Sequence, residues 1–95
     1  MDYEYEATNP VQVLTSSFPD YPDALVNSGK TGNITLQVTV GVDGRVTNAT
    51  IANSQLPEMN TATLAAIRKW TFKPFVRAGQ PASFTIKLIM KFSLQ

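Results

Sequence analysis

From Gly32 to Val42 apolar and polar positions alternate without a break. Ile34, Leu36, Val38, Val40 and Val42 fall on one side, and Thr35, Gln37, Thr39 and Gly41 on the other. A period of two built from β-branched residues predicts a strand with one buried and one wet face. Ser83 to Leu94 repeats the pattern, with Phe84, Ile86, Leu88, Met90, Phe92 and Leu94 inward and Thr85, Lys87, Ile89, Lys91 and Ser93 outward. At about 3.3 Å per residue that segment is roughly 35 to 40 Å long, above the usual strand length. Asp43-Gly44 reads as a two-residue hairpin turn, since both central positions of the favoured turn take positive φ. The return strand then runs from Arg45 to Asn53. Its inward positions are Val46, Ala49 and Ile51, and because that spacing breaks once, a bulge is expected near Thr47-Asn48.

The period changes between Met59 and Pro74. Leu64, Ile67 and Trp70 recur at helical spacing with Ala66 beside them, while Thr61, Thr63, Arg68 and Lys69 fall away from that stripe. Asn60 is placed to cap the first turn, and the two cations complement the negative end of the helix. The helix should stop near Trp70, because Thr71-Phe72 reads as extended and Pro74 forbids continuation. Trp70 continues the apolar face and is read as a core anchor rather than a ligand-stacking group. Earlier, Asp20 to Gly29 predicts a short helix, with Pro22 in its first position, Asp23 at its positive end, Leu25 inward and Gly29 closing it. Ser54 to Glu58 and Val76 to Pro81 read as loops. Residues 1 to 17 read as a flexible lead-in, the first eight mobile, with Val11-Gln12-Val13 a short strand.

These elements predict an α+β fold in the order α-β-β-α-β. It is a two-layer sandwich in which two helices cover one face of a three-stranded antiparallel sheet. A right-handed crossover through the second helix leaves room for the first strand in the middle, giving the order second, first, third. The last strand is then an edge with an unpaired outer backbone row.

Ninety-five residues suffice for one thin-cored domain, placed at 18–95. The absence of cysteine and histidine removes disulfides, thiolate chemistry, soft metal sites and the commonest general base. No nucleophile–base pair, glycine-rich phosphate loop or metal-ligand set stands in their place, so neither a catalytic residue nor a cofactor is expected. Charge is uneven although the net is only +1. All seven acids lie before residue 59, whereas Arg68, Lys69, Lys73, Arg77, Lys87 and Lys91 follow it with no acid among them. That asymmetry suits either a partner with some negative charge or ordinary surface solubility. A single-stranded nucleic acid fits poorly, because the outward face of the strands offers Thr, Gln, Lys and Ile instead of stacking aromatics. No apolar run reaches a membrane span, and no signal-peptide pattern opens the chain.

Several stretches, in order, carry a resemblance: Tyr21-Pro22 before a short helix, Gly32-Asn33-Ile34-Thr35-Leu36-Gln37-Val38 leading to Val42-Asp43-Gly44-Arg45-Val46, and Arg68-Lys69-Trp70-Thr71-Phe72-Lys73-Pro74 before a closing strand. Over about residues 18 to 94 the chain resembles the C-terminal domain of TonB proteins. The resemblance implies a periplasmic module of a protein anchored in the inner membrane, with the anchor and a proline-rich spacer upstream of Met1. It implies capture of the TonB box, a short extended segment of TonB-dependent outer-membrane transporters, as a strand beside the last strand, powered by ExbB and ExbD. A related adaptor or sensor domain without energy transduction is the alternative.

Strand addition needs an exposed edge and side chains that tolerate a guest. The partner-binding residues are therefore placed at Phe84, Thr85, Ile86, Lys87, Leu88, Ile89, Met90, Lys91 and Phe92, with Phe18, Tyr21 and Pro22 beside them. Lys87 and Lys91 suit either attraction of acidic guests or protection of the edge from aggregation. Tyr21-Pro22 suits a helix start with the ring packed on the sheet end, or direct contact with a partner. Phe18 suits either a staple before the helix or an interface aromatic. A free edge also allows pairing with a second copy.

Overall fold

The computed structural model describes residues 2–7 and 11–93. In chain order its elements are β1 (Asp2–Ala7), β2 (Val13–Thr15), α1 (Asp23–Ser28), β3 (Gly32–Val40), β4 (Val46–Ser54), α2 (Asn60–Ile67), β5 (Thr71–Phe72), β6 (Phe75–Arg77), β7 (Gln80–Ala82) and β8 (Phe84–Ser93). A 3₁₀ turn, Pro57–Met59, leads into α2. Expectations for Met1, Thr8, Asn9-Pro10 and the inward placement of Leu94 fall outside the described residues.

The main sheet is antiparallel, in the order β1-β8-β3-β4. Its central pair aligns Ile34 with Met90, Leu36 with Leu88 and Val38 with Ile86, so the two alternating patterns turn the same face inward. All six of these side chains are buried, together with Val40 and Phe92. Leu25 of α1 joins the same cluster, as do Ile67 of α2, Leu56, Met59, Trp70 and Phe72. Each such aliphatic or aromatic side chain contributes about 1.5–3 kcal/mol when fully buried, so this single apolar layer fixes the register of the sheet.

Several expectations are corrected. The sheet has four strands, not three, and its additional member is β1, drawn from the stretch read as mobile. β2 lies in the same lead-in and pairs with β5, two residues further along than Val11-Gln12-Val13. Asn60 does not cap α2: it has helical φ −59, Met59 holds the N-cap position, and no side chain among the described residues caps the helix. The 3₁₀ turn starts the helical path early and turns Met59, Thr63, Ala66 and Ile67 inward, which leaves Leu64 half-buried. Thr63, expected outside, is fully buried. Pro22 sits one place before the first helical residue, its carbonyl accepting from the Leu25 and Val26 amides, and Gly29 closes α1 in the left-handed conformation at φ 72.

The hairpin turn also differs from expectation. The Gly44 amide donates to the Gly41 carbonyl at 3.0 Å and the Gly41 amide to the Arg45 carbonyl at 2.7 Å. Val42 and Asp43 are therefore the central residues, and Gly44 alone takes positive φ, at 84°. This is a three-residue loop with a bulge glycine, not a two-residue turn. β3 accordingly ends at Val40, and Val42 is 54% exposed instead of inward. β4 bulges at Thr47 as expected, and again at Ala52, which keeps Val46, Ala49 and Ile51 opposite Val40, Val38 and Leu36. The 76–81 loop is instead the tip of a β6–β7 hairpin whose two turn residues, Ala78 and Gly79, both have positive φ.

The segment leaving α2 is tied to the hairpin turn and to β2. The Phe72 amide donates to the Gly44 carbonyl at 2.8 Å and the Lys73 amide to the Gln12 carbonyl at 2.9 Å. A Cβ on Gly44 would lie 2.1 Å from the Phe72 carbonyl oxygen, so close approach and positive φ both require glycine there.

Candidate functional site

β8 is the longest strand, and the alternation along it divides its work. Ile86, Leu88, Met90 and Phe92 point into the core, so toward a neighbouring strand they offer only main-chain groups. Thr85 and Lys87 are exposed on the opposite face, whereas Ile89 and Lys91 are half-buried there. Phe84 stands apart at the far end, edge-on to Phe72 (6.5 Å between ring centroids) and Phe75 (5.9 Å).

The outer row of β8, expected to be unpaired, carries β1. The register runs from Asp2 opposite Ser93 to Ala7 opposite Leu88. Tyr5, opposite Met90, lays its ring edge-on to Trp70 at 4.9 Å, and Phe18 closes the group at 5.7 Å from Trp70 and 6.4 Å from Tyr5. Trp70 is only 1% exposed, and its indole N–H donates to the Ser17 carbonyl at 2.7 Å. It is a core anchor, and Tyr5 and Phe18 rest against it.

On the other face of β1, Glu6 accepts a hydrogen bond from the Lys91 ammonium at 2.6 Å. That bond, with a smaller contribution from the charges of Glu6 and Glu4, holds the Lys91 pKa above the ordinary lysine value. The acidic N-terminal stretch thus answers part of the basic C-terminal stretch inside one molecule, so the charge asymmetry is not wholly a call for an outside partner.

Tyr21 stacks parallel on Phe92 at 5.9 Å, and its hydroxyl donates to the Lys30 carbonyl. Burial raises its pKa, Glu58 adding to that effect. Lys30 in turn holds Glu58 at 2.6 Å, which lowers the Glu58 pKa and raises that of Lys30. Pro22 is exposed beside this cluster. The fold therefore brings Tyr21 to the Phe92 end of β8 and Phe18, through Tyr5, to its Met90 level, but not to Phe84. Tyr5 and Glu6 were missed as site residues. The period-two DYEYEA run was the available signal.

Near Phe84 an open cleft of about 700 Å³ is lined by Val11, Pro74, Phe75, Lys73 and Arg77 among others. No cluster of three or more acids among the described residues could hold a metal ion, and no helix there is long and apolar enough to cross a membrane.

Comparison with known proteins fits this geometry to a family. Two curated relatives, both named Protein TonB and from Xanthomonas campestris pv. campestris strains B100 and ATCC 33913, are 32% identical over 77 residues, covering 80% of this chain and 34% of each relative. The chain thus spans about a third of their length. The solution NMR structure of the Pseudomonas aeruginosa TonB C-terminal domain superposes with a TM-score of 0.63 at 22% identity, covering 93% of this chain and 91% of that one, which shows a shared fold. The family model described as Gram-negative bacterial TonB protein C-terminal matches residues 17–94. The chain belongs to the TonB C-terminal domain family.

Proposed function

We propose that this domain is a periplasmic capture module which takes the TonB box of a TonB-dependent outer-membrane transporter as an added strand along β8, between Phe84 and Phe92. Main-chain hydrogen bonds supply most of the attraction and Lys87 and Lys91 favour acidic guests. Sequence upstream, anchored in the inner membrane and driven by ExbB and ExbD, then pulls on the captured segment. No bond is made or broken, so the domain needs neither catalytic group nor cofactor.

The observation that supports this reading is the β1–β8 pairing itself: the outer edge of β8 accepts an extended, acidic antiparallel segment over six residue pairs. Family membership supports the choice of partner. The test is a titration of isotope-labelled protein with a synthetic TonB-box peptide, followed by amide NMR. Saturable shifts along Leu88 to Ser93 are expected. Shifts confined to the Gly41–Gly44 turn, with β8 silent, would refute strand addition.

A further inference from the structure

We propose that β1 is a built-in competitor for the docking edge: Asp2–Ala7 holds the place of the guest on β8 and is exchanged for it during capture. The inference rests on the reading of β8 as the docking edge.

Adjacent strands lie about 4.8 Å apart, so the outer row of one strand pairs with one neighbour only. Over Leu88 to Ser93 that neighbour is β1. A guest cannot pair there until β1 leaves.

The way β1 is held suits departure. Its described side chains are exposed at Glu4, Tyr5 and Glu6 and half-buried at Ala7, and none lies in the buried core. Two side-chain attachments stand out. One is the ring of Tyr5, edge-on to Trp70 and tilted against Phe18, with Tyr5 still 40% exposed. The other is the solvent-facing Lys91–Glu6 ion pair. Contacts of both kinds are individually weak. By contrast β3, on the other side of β8, is locked by Ile34, Leu36, Val38 and Val40 in the core. β8 thus has one permanent neighbour and one exchangeable neighbour.

The occupant also defines what replaces it. A guest in the same register sets one side chain against Trp70 at the Met90 level, where an apolar or aromatic group fits, and a carboxylate within reach of Lys91. Apparent guest affinity scales with the fraction of molecules in which β1 is undocked, so loosening β1 tightens guest binding.

The test compares one protein in two redox states. Glu6 and Ile89 are opposite one another across β1 and β8, and the chain has no other cysteine, so E6C/I89C forms a removable cross-link between the strands. With a synthetic TonB-box peptide as probe, the reduced protein should bind and the oxidised protein should bind at least about tenfold more weakly, because the docked fraction is then fixed near one. Y5A should bind the peptide at least about 2- to 10-fold more tightly than the parent, the range set by loss of the edge-on pair with Trp70 alone. Equal affinity of the oxidised and reduced forms, or an unchanged Y5A, with β8 amides still responding in the parent, would overturn the competitor while leaving the docking edge intact. Silence of β8 in the parent, or no binding to it at all, would overturn the docking edge and the competitor together.

Discussion

Replacing Gly44 with alanine tests whether the hairpin turn and the segment leaving α2 are built as one contact. The new Cβ would stand 2.1 Å from the Phe72 carbonyl oxygen and 3.3 Å from its carbon, on a residue with φ 84. A left-handed backbone costs a non-glycine residue about 1–2 kcal/mol. Relieving the clash moves the two segments apart and removes the Phe72 amide bond to Gly44, worth a further 0.5–1.5 kcal/mol or so. The expected destabilisation is about 1.5–3.5 kcal/mol. Gly79 is the matched control: its φ is 77, and nothing lies within 4 Å of a Cβ built there. G79A should therefore cost only the backbone share, about 1–2 kcal/mol. Urea unfolding followed by the fluorescence of Trp70, the only tryptophan, measures both variants. If G44A is no less stable than G79A, the close contact with Phe72 does not hold the turn.

Two further predictions address the core and the surface. Thr63 is fully buried and its hydroxyl has no hydrogen-bond partner among the described residues, so T63V, which keeps the shape and removes the polar atom, should raise stability by about 1 kcal/mol in the same assay; a loss would mean that the hydroxyl is satisfied. The Lys30 hydrogen bond lowers the Glu58 pKa, so this ion pair stabilises the fold above the ordinary carboxylate range and loses its effect as pH falls through the lowered folded value. The midpoint difference between the parent and E58Q should be constant near neutrality and shrink in acid. A difference that grows in acid has the wrong sign for this linkage.

Much of the fold was legible because burial writes a period into the chain. β3 and β8 each bury alternate residues over seven positions, Ile34 to Val40 and Ile86 to Phe92, and their register follows once both apolar faces must meet. The Thr47 bulge was legible for the same reason, as a break in the spacing of Val46, Ala49 and Ile51. The course of α2 was less so: the preceding 3₁₀ turn rotated Thr63 inward, and a threonine carries no apolar signal. The β6–β7 hairpin was hidden because its strands are exposed and its turn uses Ala78 at φ 52, a residue that gives no warning of positive φ. The candidate site was half legible. The alternation along β8 identified its long edge, but the occupant of that edge comes from the opposite end of the chain. Asp2–Ala7 alternates acids with tyrosines instead of apolar residues, so its strand character emerges only when Lys91 and Trp70 are brought beside it.

The same segment changes the meaning of β8. An edge that is already paired resists aggregation and chance pairing with another copy, and under the proposed exchange a guest takes the place of that partner. The decisive measurement is a set of interstrand nuclear Overhauser contacts in the complex of labelled protein with TonB-box peptide. The account predicts that peptide protons contact the β8 backbone from Leu88 to Ser93 while the Tyr5–Met90 and Glu6–Ile89 cross-strand contacts disappear. Persistence of the β1–β8 contacts at saturating peptide would contradict it.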